Sequence, residues 1–195
     1  MNQKFHISPE EAVQLWVQKT IVSFNFCPFA APEVTKNAIR YVSLETEQYE
    51  PDNKTGLFQC ALEVLLEECK WLDEHNETET TLLILPAGFD DFYDFLDLVE
   101  LAEALLSEQG FEGIYQIATF HPDYQFEGCP ADDPANYTNR APYPVLHLLR
   151  ESSLERVIAR HPDPEGIPER NTELARREGA APFQKILAEI SAGRK

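Results

Sequence analysis

The sequence predicts an α/β domain: a small, mainly parallel sheet with helices packed on it, followed by a C-terminal helical tail. Short apolar runs of strand length, at residues 38–45, 80–85 and 113–120, alternate with longer segments whose apolar residues recur at helical spacing. Strands separated by helix-length segments imply βαβ crossovers and therefore parallel pairing. The chain of 195 residues, 43% of them hydrophobic, suits one domain over residues 1–195 with a full core and no need of disulfides or metal. That core falls at about residues 8–175, and the last helix at about 182–192.

Each element has a local reason. Ser8-Pro9-Glu10-Glu11 is a helix start, with Ser8 as N-cap, Pro9 at the first helical position and Glu11 completing a capping box. Val13, Trp16, Val17, Ile21 and Phe24 then form one apolar stripe, and Pro28 ends the helix by Cys27. Residues 38–45 alternate as a half-buried strand does. A second helix presents Phe58, Ala61, Leu62, Leu65, Cys69 and Leu72 on one face. The continuous apolar run at 80–85, stopped by Pro86, predicts a central strand covered on both faces. A third helix runs from about 90 to 109 and closes at Gly110; Asp90, Asp91, Asp94 and Asp97 complement the dipole at its start. Residues 113–120 make the third strand. Pro144 is placed to open a fourth helix, which breaks at the second capping pattern, Ser152-Ser153-Leu154-Glu155. Two short helices finish the chain, one after Pro168 and one over 182–190, where Phe183, Ile186, Leu187 and Ile190 form a stripe.

Composition narrows the function classes. A net charge of −18 repels phosphate backbones and argues against nucleic-acid binding. No apolar run approaches the ~20 residues that span a bilayer. The opening residues MNQKFHISPEEA show no secretory pattern, so a cytoplasmic protein is expected. Cys27, Cys60, Cys69 and Cys129 follow no metal-binding or CxxC spacing and read as reduced thiols, those of the second helix serving as small hydrophobes. No Gly-rich dinucleotide fingerprint is present, so no cofactor is expected.

The chemistry-bearing residues concentrate in 119–151, a Pro-rich run too long for a passive connection in a compact domain. His121-Pro122-Asp123 ends the third strand, where open α/β sheets bind ligands, and offers an imidazole with a carboxylate to orient it. Asn136, Tyr137, Thr138, Asn139 and Arg140 are consecutive hydrogen-bonding side chains, equally suited to a ligand or to local turns. Arg140 carries the group best suited to a carboxylate or phosphate. Pro142, Tyr143 and Pro144 fix the entry to the next helix, whose first-turn N–H groups would seat an anion. His147, Arg150 and Glu151 would share one face of that helix. Cys27 lies at a helix C-terminus, whose field opposes a thiolate, and reads as a buried structural thiol. His161-Pro162-Asp163 repeats the tripeptide and reads as a helix stop. J-domain co-chaperones carry the same three residues between helices, but nothing else of that small, basic helical domain is here. A metal site from Cys27, His121, Cys129 and His147 is chemically conceivable but has no support from spacing.

The stretches NFCPFA (25–30), ETTLLILP (79–86), FHPDYQF (120–126), DDPANYTNRAPYPVLHLLRE (132–151) and HPDPEGIPERN (161–171) resemble a bacterial family known as domain of unknown function 1415. The resemblance covers about residues 9–175 and brings no established activity. It implies a set of matching positions: Cys27, His121, Tyr124, Asn136, Tyr137, Asn139, Arg140, Tyr143, His147, Arg150 and His161. Cys129 has no counterpart in the pattern, and Ala141 stands where Ser is usual, which argues against a hydroxyl nucleophile there. The expectation is therefore an enzyme acting on a small anionic metabolite by hydrolysis or proton transfer, with His121 and Asp123 as the acid–base pair and the arginines holding the anion. A non-catalytic binding or adaptor protein using the same loop is the alternative, and a metal-dependent hydrolase the third.

Overall fold

A computed structural model describes residues 7–45 and 53–193. In chain order it contains α1 (Pro9–Trp16), continued by a π-helical turn (Val17–Val22), α2 (Ala30–Thr35), β1 (Ile39–Ser43), α3 (Lys54–Glu74), β2 (Thr80–Ile84), α4 (Phe92–Glu108) and β3 (Tyr115–Phe120). A 3₁₀ helix (Pro134–Thr138), β4 (Val145–Arg150), α5 (Glu151–Ile158), α6 (Ile167–Glu178) and α7 (Ala180–Ala192) follow. Ser8 and Glu11 form the expected reciprocal capping box. Gly110 sits at φ 79° just past α4, the left-handed position that glycine fills without a Cβ clash.

The α/β class and the C-terminal helix match expectation, but the sheet is mixed. Its order is β1-β2-β4-β3. β1 and β2 are parallel, whereas β4 lies antiparallel between β2 and β3. The expected helix from Pro144 is therefore a strand. Residues 145–150 are too short for periodicity to separate strand from helix. Their apolar run is what a strand covered on both faces requires, and pairing with two distant segments decides the matter.

Alternation along the strands divides the core in two. Leu83, Tyr115, Leu146 and Leu148 face α3 and α4, where Leu65, Cys69, Leu72, Phe95 and Leu98 are wholly buried or nearly so. Leu82, Ile84 and Val145 face the other layer, built from α1, the π turn, Phe26, Tyr137, Tyr143, α6 and α7. Burying each large apolar side chain is worth about 1.5–3 kcal/mol, so both faces of the sheet contribute to holding the fold. All four cysteines are free thiols, and Cys60 and Cys69 pack in the first cluster. Among the described residues no helix is long and apolar enough to cross a membrane.

Candidate functional site

The 119–141 segment is held by its own side chains. His121 is fully buried. Its Nδ1 accepts the N–H of Asp123 (3.0 Å), so Nε2 carries the proton and donates to the carbonyl of Phe89 at 2.9 Å. Both ring nitrogens are thus occupied by backbone, and the ring packs against Phe92 and Phe95. Burial pushes the imidazole pKa down; the Phe89 carbonyl and the charge of Asp123 push weakly the other way. The amide of Asp123 engages the ring, not its carboxylate. His161 repeats this geometry, its Nδ1 accepting the N–H of Asp163 at 3.2 Å. A proline between His and Asp shapes both turns.

The remaining loop residues follow suit. Asn136, fully buried, accepts from the N–H of Phe126 and donates to the carbonyls of Pro130 and Ala131. Asn139 donates to the carbonyl of Thr119 (3.1 Å). Arg140 donates to the carbonyls of Tyr124 (3.0 Å) and Ala131 (2.8 Å) while lying over the Tyr137 ring. Tyr137 stacks on Phe183, and Tyr124 packs against Phe92 and Phe126. Tyr143 is buried in the core between sheet and α-layer.

The strand conformation of 145–150 separates residues expected to share a helical face. Arg150 points to the α3 side, where its guanidinium donates to the carbonyls of Leu72, His75 and Thr78 and to the Tyr115 hydroxyl. It caps the C-terminal end of α3, where a cation also suits the helix dipole. Glu151 begins α5. The anion seat expected at Pro144 does not exist, because no helix starts there. Arg140 and Arg150, the groups expected to hold an anion, are occupied by main-chain carbonyls.

His147 points the opposite way, into a cavity of about 920 Å³ on the other face of the sheet. Its floor includes Ile39, Thr80, Leu82, Ala118, Phe120, His147 and Leu149. Register explains the grouping: Leu82, His147 and Ala118 form one cross-strand row. Trp16, Val17 and Ile21 from α1 and its π turn form one wall, and Phe26, Cys27, Phe29 and Glu33 another. α5 and α6 cover it with Leu154, Val157, Pro168, Asn171 and Thr172, while the exposed Arg156, Arg160 and Glu169 stand at its rim. π turns within α-helices recur at functional sites, and this one borders the cavity.

Polar contacts hold these walls in place. Asn171 donates to the carbonyl of Phe26 (2.6 Å), and Arg170 reaches the carbonyl of Asn25. Arg176 holds Asp133 through both carboxylate oxygens and keeps that carboxyl below its usual range. Ser153 bonds Glu79 at 2.5 Å and accepts from Arg156, tying α5 to the start of β2. The motif residues at 25–26, 133–140 and 170–171 therefore interlock the segments that frame the cavity.

Two side-chain atoms of lining residues, both shut off from solvent and from the cavity, lack a hydrogen-bond partner among the described residues. Trp16 is 1% exposed, and its indole N–H is unpartnered. So is Oε2 of Glu33, whose Oε1 pairs with Lys36 at 2.8 Å. The Thr80 hydroxyl donates to the carbonyl of Leu148 and so accepts from Nε2 of His147 at 2.7 Å. That fixes the tautomer and leaves His147 Nδ1 a pure acceptor. Burial pushes the His147 pKa down to about 4, so the ring is neutral at physiological pH. Burial likewise pushes the Cys27 thiol up, partly offset by the amides of Phe29 and Ala30.

Of the sequence-derived positions, Cys27, Asn139, His147 and Arg150 contribute to the cavity lining, the last with its guanidinium turned to the opposite face. His121, Asp123, Tyr124, Asn136, Tyr137, Arg140, Tyr143 and His161 are not among the lining residues. The four donors of the conceivable metal site are likewise divided, and among the described residues no group of three or more His, Cys, Asp or Glu is arranged to hold a metal ion. Trp16, Glu33, Thr80 and Arg156 escaped the sequence reading. Each sits in a segment with an ordinary structural role, Trp16 in the apolar stripe of α1 and Thr80 in the strand within the 79–86 stretch. A family model described as "Protein of unknown function (DUF1415)" matches residues 8–185. No curated protein and no solved structure matches the chain.

Proposed function

The chain belongs to the DUF1415 family, and we propose that it binds a small organic molecule with an apolar, ring-bearing body in the cavity between the sheet and α5–α6. One observation carries this reading. In a fold where His121, Asn136, Arg140 and Arg150 are all satisfied by backbone, His147 keeps an imidazole nitrogen, Nδ1, without a hydrogen-bond partner among the described residues on the floor of a large cavity. Buried polar groups are ordinarily paired, and unpaired ones call for a reason. The volume lies within the ~300–1,000 Å³ of small-molecule sites, which are likewise mostly apolar with a few polar groups fixing orientation.

The rings of Trp16, Phe26, Phe29, Phe120 and Phe126 supply the apolar surface. With Arg140 and Arg150 spent elsewhere, a negative charge on the ligand is not part of the proposal. A proton-transfer role, favoured by the open Nδ1 of a neutral imidazole, would fall to His147. A thermal-shift screen of aromatic metabolites tests the proposal, because a molecule that binds only the folded form raises the melting temperature. Hits are expected, and they should vanish in Ala118→Phe, which fills the floor. Hits that persist in that variant would refute the assignment.

A further inference from the structure

We infer that the ligand of this cavity carries a hydroxyl on its ring-bearing body, and that this hydroxyl donates to Nδ1 of His147; the inference rests on the cavity being a ligand site. The roles follow from a short chain of hydrogen bonds. The Leu148 carbonyl can only accept, so the Thr80 hydroxyl gives its one proton there. Thr80 is left to accept, and Nε2 of His147 donates to it at 2.7 Å. Burial keeps the ring neutral, with a pKa of about 4, and a neutral imidazole has one N–H. Nδ1 is therefore an acceptor, and none of the described residues answers it. The indole nitrogen of Trp16 and Oε2 of Glu33 are unpartnered but closed off, whereas the half-buried ring of His147 faces the cavity and keeps Nδ1 open to it.

The surroundings of the ring decide which donor fits. Strand register sets Leu82 and Ala118 on either side of His147, with Val145 and Leu149 before and after it on the same face of the sheet. Phe120 stands at a ring-centroid distance of 6.1 Å, so an aromatic body resting on it is within reach of the imidazole. Thr80, the polar member of this group, is engaged by both Leu148 and His147. An ammonium would bring three N–H donors and a full charge to a floor that is otherwise apolar, and burying unmatched donors and charge is costly. A carboxylate has no donor and would set its lone pairs against that of Nδ1. A hydroxyl has one proton for the one open nitrogen, and no charge. The charged side chains stand away from the floor, at the rim, where the exposed Arg160 and Glu169 are of opposite sign and set no preference between anion and cation.

Isothermal titration of the full chain with probes of similar size tests this: 4-ethylphenol, 1-ethyl-4-fluorobenzene and 4-methylbenzylamine. The first offers one neutral donor, the second a near-isostere with none, the third an ammonium. The phenol is expected to bind about tenfold more tightly than either of the others, which corresponds to about 1.4 kcal/mol. His147→Leu is expected to weaken phenol binding about tenfold and to leave the fluoro compound unchanged, which also shows that the variant is folded. A fluoro compound or an amine that binds wild type as tightly as the phenol, or phenol binding indifferent to His147→Leu, overturns the hydroxyl assignment alone, provided Ala118→Phe abolishes binding. Should His147→Leu fail to fold, the wild-type comparison decides by itself. If no probe binds, or if binding survives Ala118→Phe, the cavity reading fails and this inference with it.

Discussion

Replacing Arg150 by methionine keeps much of the side-chain volume and removes only the guanidinium. That group donates to the carbonyls of Leu72, His75 and Thr78, at the end of α3 and the turn beyond it, and to the hydroxyl of Tyr115 at 3.2 Å. Tyr115 in turn donates to Asp73 at 2.6 Å, so the variant also removes a donor from the hydroxyl that holds that carboxylate. Hydrogen bonds to charged groups contribute about 1.5–3 kcal/mol each, but neighbours in one network do not add. Water reaches part of this half-buried site and replaces some of the loss. The net cost should be about 3–5 kcal/mol, the range for breaking a buried charged network. For a chain of this size each kcal/mol lowers the melting temperature by roughly 2–4 °C, so a fall on the order of 10 °C is expected. Urea unfolding of wild type and Arg150→Met, with equal slopes, is the measurement. A variant within about 0.5 kcal/mol of wild type that had nonetheless lost ligand binding would refute the capping role and return Arg150 to the site.

Acid should destabilise the fold in a defined window. His147 has a folded pKa near 4 against an ordinary 6.5, so its contribution is complete above about pH 6.5 and is lost as pH falls towards 4. The shift corresponds to a loss on the order of 3 kcal/mol, and His121, also lowered by burial, acts in the same direction. Urea midpoints at pH 7.5 and 4.5 should differ strongly in wild type and less in His147→Leu; an unchanged difference would contradict the assignment. Asn136→Ala removes bonds to Phe126, Pro130 and Ala131 at a fully buried position. It should cost about 2–4 kcal/mol and raise proteolytic cleavage within 122–135, whereas a stable, protease-resistant variant would show that the loop does not depend on it.

What could be read from the sequence was what is decided locally. The Ser8 cap, α3, α4 and the strands at 39–43, 80–84 and 115–120 follow from residues adjacent in the chain. β4 does not, because six residues after a proline fit either state until β2 and β3 flank them. The polar loop is ambiguous for a related reason. Asn136 and Arg140 look the same in sequence whether they grip a ligand or a carbonyl, and partners as distant as Leu72 for Arg150 carry no local signal. The quoted stretches nonetheless frame the cavity, since Asp133, Arg170 and Asn171 clamp its walls. Its interior is assembled from Trp16, Glu33, Thr80 and His147, which only the folded chain brings together.

Long-range proton–nitrogen spectra of the imidazole rings, recorded while an aromatic hit from the thermal-shift screen is added, examine most directly whether the working surface is the cavity or the loop. The expected result is a progressive shift of the His147 nitrogens, Nδ1 above all, with the His121 signals stationary. Movement of His121 with His147 unaffected would contradict the account.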